Sequence, residues 1–134
     1  MPNDPGGATP VKWRILIVDA HPLLRRGLAA LIDNEPYLSV CAEAETGLAA
    51  LDAIAAGGAD LVIADFSFDD GLGLGLAAEI RARYPHLPVL LMSIDDATLC
   101  CERALQAGAR GCVSKQELDG TALTAIRVAL DGES

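Results

Sequence analysis

Asp60-Leu-Val-Ile-Ala-Asp65 sets four apolar residues in a row between two carboxylates. A run this short and this continuously apolar reads as a strand buried on both faces, which belongs in the middle of a parallel sheet covered by helices. Two further runs have the same character: Arg14-Ile-Leu-Ile-Val18, closed by Asp19, and Val89-Leu-Leu-Met-Ser93. What lies between and beyond these three runs decides how they are connected.

Upstream of Asp60, Pro22 stands where the first turn of a helix tolerates it, and Leu24, Leu28 and Leu31 share one face of a helix ending near Asn34. A second strand is expected from Leu38 to Ala44. It is more mixed than the others, with Ser39 and Glu43 between apolar residues, as suits an edge. Thr46 can then N-cap a helix that stops at Gly57 and Gly58. Downstream of Asp65 come a polar, Gly-rich loop and a helix with Leu76, Ile80 and Tyr84 in register. After the fourth strand, Asp95 or Asp96 can cap a helix that Gly108 ends. A fifth strand spans Gly111 to Ser114, and a last helix carries Leu123, Ile126 and Leu130 and stops at Gly132. Strict β-α alternation predicts an α/β fold, a doubly wound five-stranded parallel sheet with helices on both faces. The edge character of the second strand favours the flavodoxin-like order 2-1-3-4-5 over the longer dinucleotide-binding order.

The 134 residues suit one domain, and 51% hydrophobic residues can bury a real core, which with only 4% aromatics must be aliphatic. Residues 1–12, rich in Pro and Gly at their start, are expected to form a disordered N-terminal tail, and 13–134 the domain. No apolar run is long enough to cross a bilayer, and no basic-then-apolar signal opens the chain, so a cytoplasmic location is expected. A net charge of −9 argues against nucleic-acid binding by this domain itself. Cys41, Cys100, Cys101 and Cys112 show no C-x-x-C spacing and are expected to be small buried apolar residues without disulfide staples. His21 and His86 have no partner at ligand spacing.

In an open parallel sheet, ligands bind at the carboxyl ends of the strands. There the sequence places Asp19 after strand one, Asp65 closing strand three, Ser93 closing strand four and Lys115 after strand five. Two carboxylates with waters and a main-chain carbonyl suit Mg²⁺. A carboxylate can also attack phosphorus to give an aspartyl-phosphate, with a lysine and a hydroxyl offsetting charge on the transferring group. Any one of these residues is an ordinary strand-end polar residue; the four types in this order are not. Gly71-Leu-Gly-Leu-Gly75 reads as a loop and helix start: it follows strand three, and Leu76 stands where a third glycine of a phosphate loop would be. Arg103, Arg110 and Arg127 read as scattered surface residues.

The segments Ile15-Leu-Ile-Val-Asp-Ala-His-Pro22, Asp60–Asp65, Val89–Ser93 and Gly108-Ala-Arg-Gly-Cys-Val-Ser-Lys115 together resemble the receiver domains of bacterial two-component response regulators, with the CheY-like fold. His21-Pro-Leu-Leu-Arg-Arg-Gly27 resembles the LuxR-type, nitrate-response (NarL/FixJ-like) branch. The resemblance implies Asp65 as phosphoacceptor and Ser93 and Lys115 as the switch hydroxyl and phosphate-binding lysine. It implies Mg²⁺ held by Asp19, Asp65 and the main-chain carbonyl of Ser67, and it matches Gly73 to the glycine of the loop after Asp65. It also implies a signalling module, not an enzyme. A sensor histidine kinase is the expected partner, with a homodimer as a further association and no membrane contact. DNA would be met only through a C-terminal helix-turn-helix domain, and the chain reaches Ser134 without one.

Four positions depart from that pattern. Ala20 replaces the second acidic residue, which predicts weakened Mg²⁺ binding unless Asp69 or Asp70 substitutes. Asp69 stands where a proline is usual, Cys112 where a switch aromatic is usual, and Gln116 where many receivers have a cis proline. Ala20 and Cys112 support a competing expectation, a degenerate receiver that binds partners without being phosphorylated. A small phosphatase or flavin protein is a third reading, disfavoured by the lack of a second acid at D-x-D spacing from Asp65 and by the few aromatics.

Overall fold

The computed structural model of the chain describes residues 12–65, 73–93, 97–114 and 120–131. Within them, five strands alternate with five helices: β1 (Trp13–Val18), α1 (Pro22–Asp33), β2 (Leu38–Ala44), α2 (Gly47–Ala55), β3 (Leu61–Asp65), α3 (Gly73–Arg83), β4 (Val89–Ser93), α4 (Ala97–Gln106), β5 (Gly111–Ser114) and α5 (Gly120–Leu130). The strands form one parallel sheet in the order β2-β1-β3-β4-β5. This is the flavodoxin-like arrangement expected from the edge character of β2.

Alternation along each strand divides the core in two. Leu16, Val18, Val62, Ala64, Val89 and Leu91 point to the side covered by α2, α3 and α4, where they meet Ala50, Ile54, Leu76, Ala77, Ile80 and Ala104. Ile15, Ile17, Leu61, Ile63, Leu90 and Met92 face the other side and pack on Leu28 and Ile32 of α1 and Ala122, Ile126 and Ala129 of α5. Each large aliphatic side chain so buried contributes about 1.5–3 kcal/mol of transfer free energy. In α1, Leu28 is buried as its spacing predicts, together with Ile32; in the last helix Ala122 and Ala129 are buried beside Ile126, whereas Leu123 and Leu130 are only partly buried.

Local signals fix the helix ends. The Thr46 hydroxyl accepts a hydrogen bond from the Ala49 amide at 3.0 Å, capping α2. Gly57 and Gly58 after α2, and Gly108 after α4, have φ of 90°, 102° and 103°, a region that side-chain-bearing residues avoid. β1 and β2 slip register between Ile15 and Leu16, so that Cys41 lies in a bulge. Burial pushes the Cys41 thiol up, with Arg14 acting in the opposite direction.

Two expectations need correction, and others fall outside the described residues. Cys112 is disulfide-bonded while Cys41 is a free thiol, so the expectation of four unlinked cysteines fails; spacing along the chain does not report proximity across a fold. The side chains of Cys100 and Cys101, like the expected caps Asp95 and Asp96, the stop at Gly132 and residues 1–11 of the expected tail, lie outside the described residues. Gly73 is the first residue of α3, not a loop residue. Among the described residues, no helix is long and apolar enough to cross a membrane.

Candidate functional site

The register of the sheet levels the strand ends. Val18 pairs with Ala64, Asp65 with Met92, and Ser93 with Ser114. Asp19, Asp65 and Ser93 therefore follow one another across three adjacent strands at the carboxyl edge. All three are buried, with exposures of 0%, 3% and 1%. They are the only buried polar or charged residues among those described. Buried carboxylates and hydroxyls need partners to offset their lost hydration, and the fold gathers all three at the carboxyl edge of the sheet, where ligands of open parallel sheets bind.

His21 joins this group. Its Nδ1 lies 2.9 Å from Asp19 Oδ1, and its backbone N–H donates to the same oxygen at 2.8 Å. Ligand atoms of Asp19, His21 and Asp65 all lie within 4.8 Å of one another. The ring sits at the rim, with 69% of the side chain exposed, while Asp19 and Asp65 form the floor. Arg25, one turn into α1, closes the side next to β2: its Nη1 donates to the Asp19 carbonyl at 2.7 Å, and its other nitrogens reach Glu43 at 3.2 Å and Glu45 at 3.3 Å. This guanidinium brings a fixed positive charge to the acidic end of the sheet. Pro22 sets the helix geometry that brings both residues here: His21 is the N-cap and Arg25 bonds back to the His21 carbonyl.

Asp19, Asp65 and Ser93 thus come together where the sequence led us to expect them. Ser67, Lys115, Asp69 and Asp70 lie outside the described residues; Ser114, immediately before Lys115, is the strand partner of Ser93. Ala20 is exposed and contributes no ligand atom. The expectation that His21 has no partner at ligand spacing is corrected by this geometry, and Arg25 was not singled out. The signal for His21 was its i, i+2 relation to Asp19 across a strand end, which folds the ring back beside the carboxylate; spacing rules written for helices overlook it. An oxygen-rich pair of buried carboxylates fits a hard divalent cation such as Mg²⁺, with one carboxylate fewer than a D-D pair would supply.

The family model described as "Response regulator receiver domain" matches residues 15–127. Among curated proteins, the chain is 31% identical over 118 residues to the transcriptional regulatory protein UhpA of Escherichia coli, covering 88% of this chain and 59% of that protein. It is 30% identical over 125 residues to the nitrate/nitrite response regulator protein NarP of the same organism, covering 93% and 57%. Among solved structures, it is similar to a LuxR-family two-component response regulator from Aurantimonas sp. SI85-9A1, with a TM-score of 0.85 at 28% identity over 91% of this chain and 87% of that one. The chain spans a little over half the length of the curated relatives it matches.

Proposed function

The chain belongs to the response regulator receiver family, in its LuxR-type, nitrate-response branch, and from that premise we propose that Asp65 accepts a phosphoryl group from a sensor histidine kinase. The observation that carries this reading is the pairing of the buried carboxylates Asp19 and Asp65 beside the buried Ser93 hydroxyl. In the step itself, an Asp65 carboxylate oxygen attacks phosphorus. A new O–P bond forms, the N–P bond to the kinase histidine breaks, and the departing imidazole keeps the electron pair and takes up a proton. Asp19, Asp65 and the Ser67 main-chain carbonyl would hold Mg²⁺, which when bound neutralises charge on the phosphoryl oxygens. Ser93 donates a hydrogen bond to one of those oxygens, and Lys115 supplies the second positive charge.

The domain spanning 13–134, behind a tail of residues 1–12, acts on this reading as a cytoplasmic signalling module rather than an enzyme. Its phosphorylation changes a surface used by a second copy or by an output domain, and the output is transcription through a DNA-binding domain. The length of the relatives supports that extension. A second reading, a degenerate receiver that works by binding alone, is favoured by exposed Ala20 and by Cys112 in β5. The two separate on intact mass after incubation with acetyl phosphate and Mg²⁺. The phosphorylatable receiver gains one phosphoryl group, and Asp65→Asn gains none. An unchanged mass in the parent supports the degenerate receiver.

A further inference from the structure

We infer that His21 Nδ1 occupies the ligand position that Ala20 leaves without an oxygen, so that this site takes a first-row divalent transition-metal ion in preference to Mg²⁺. The inference rests on reading the crevice as the receiver's cation site, and it concerns which ion the crevice selects. Three observations carry it. Asp19, His21 and Asp65 bring ligand atoms within 4.8 Å of one another. Asp19 Oδ1 and His21 Nδ1 are 2.9 Å apart, a hydrogen bond in the metal-free site that a bound cation would replace by moving the ring proton to Nε2; the separation is also close to that of neighbouring ligands in an octahedron whose bonds are roughly 2.1 Å long. Lastly, the backbone N–H of His21 donates to Asp19 Oδ1 at 2.8 Å, which fixes that carboxylate against the start of α1, within reach of the His21 ring.

Chemistry then decides the ion. Mg²⁺ prefers oxygen and gains little from an imidazole, whereas Co²⁺, Ni²⁺ and Zn²⁺ bind imidazole nitrogen well. A neutral imidazole ligating through Nδ1 carries its proton on Nε2. The mostly exposed ring would hold such an ion on the solvent side of Asp19 and Asp65, accessible to water and to an incoming phosphoryl group. Exchange of a carboxylate for an imidazole also removes one negative charge from the ligand set, which weakens Mg²⁺ most because its binding is the most purely electrostatic.

Calorimetric titrations with MgCl₂ and CoCl₂ on the parent chain, His21→Ala and Ala20→Asp test this without any phosphoryl donor. His21→Ala should lower Co²⁺ affinity roughly tenfold or more while changing Mg²⁺ affinity less than about twofold. Ala20→Asp should raise Mg²⁺ affinity and shrink the preference for Co²⁺. The ring of His21 is mostly exposed and makes no side-chain cap to α1; circular dichroism of His21→Ala, expected to match the parent, checks that the fold is retained. Proton NMR of the Co²⁺-loaded protein gives a second readout. Ring protons of a ligating imidazole shift far outside the diamagnetic range; those signals should vanish in His21→Ala and persist in His86→Ala, the chain having two histidines. Equal loss of both ions in His21→Ala, or Co²⁺ binding without shifted imidazole signals, overturns the inference. Because these titrations contain no acetyl phosphate, a His21-dependent Co²⁺ site in a chain that never gains phosphoryl mass would sustain this inference and sink the phosphoacceptor reading. Phosphorylation with Mg²⁺ and no His21 effect would do the reverse.

Discussion

Ala20 is exposed between Asp19 and His21 and offers the crevice no oxygen. A carboxylate there meets no packing obstacle, so Ala20→Asp isolates charge from fold. We expect it to bind Mg²⁺ more tightly and to label faster with acetyl phosphate than the parent. Equal affinity and equal rate would mean that the site has already compensated. Lys115→Ala should slow labelling while leaving the thermal midpoint within a few degrees of the parent, since a lysine that neutralises the phosphoryl group contributes to transfer and little to the core; a large drop in midpoint with unchanged labelling would assign it a structural part. Cys41 gives the pH-dependent case. Burial, only partly offset by Arg14, raises its thiol above the ordinary value in the folded state. The thiol's contribution to stability is therefore complete below the unfolded-state pKa and is lost as pH rises through the folded one. Iodoacetamide at mildly alkaline pH should modify Cys41 more slowly in the folded chain than in urea, and equal rates would refute the shift.

At the scale of elements, the strands were legible because burial on both faces leaves an unmistakable apolar run, and β2 because edge position leaves a mixed one. Helix boundaries were legible where a single residue dictates them. Pro22, Thr46 and Gly108 each do so by backbone chemistry that acts over two or three residues. Thr46→Ala tests one of them: loss of the hydroxyl that accepts from Ala49 should cost about 1 kcal/mol, seen as a lower urea midpoint with an unchanged slope, and Thr46→Ser should recover most of it. No change in midpoint would show that α2 is held by packing of Ala50 and Ile54 alone. What the sequence concealed were relations between elements. The reach of Arg25 from α1 to Glu43 and Glu45, the contact of the Arg127 guanidinium with the Tyr37 ring and hydroxyl, and the disulfide at Cys112 all depend on which segments meet in space.

For the whole molecule, strand order turned four separated residue types into one expected crevice. The register then brought Asp19, Asp65 and Ser93 level at the sheet's carboxyl edge. Asp65 was identifiable because it ends an otherwise apolar run and must therefore be buried. His21 was not, because a polar residue in a loop looks the same whether it faces solvent or a neighbouring carboxylate. On the proposed reading one carboxylate of the chain, Asp65, becomes an acyl phosphate. The most direct measurement is to treat the acetyl-phosphate-labelled protein with borohydride, which reduces an acyl phosphate to the alcohol, and to sequence the peptides by mass spectrometry. Homoserine is expected at position 65 and nowhere else; homoserine at another aspartate, or intact aspartate at every position of a protein that carries the phosphoryl mass, would refute Asp65 as the acceptor.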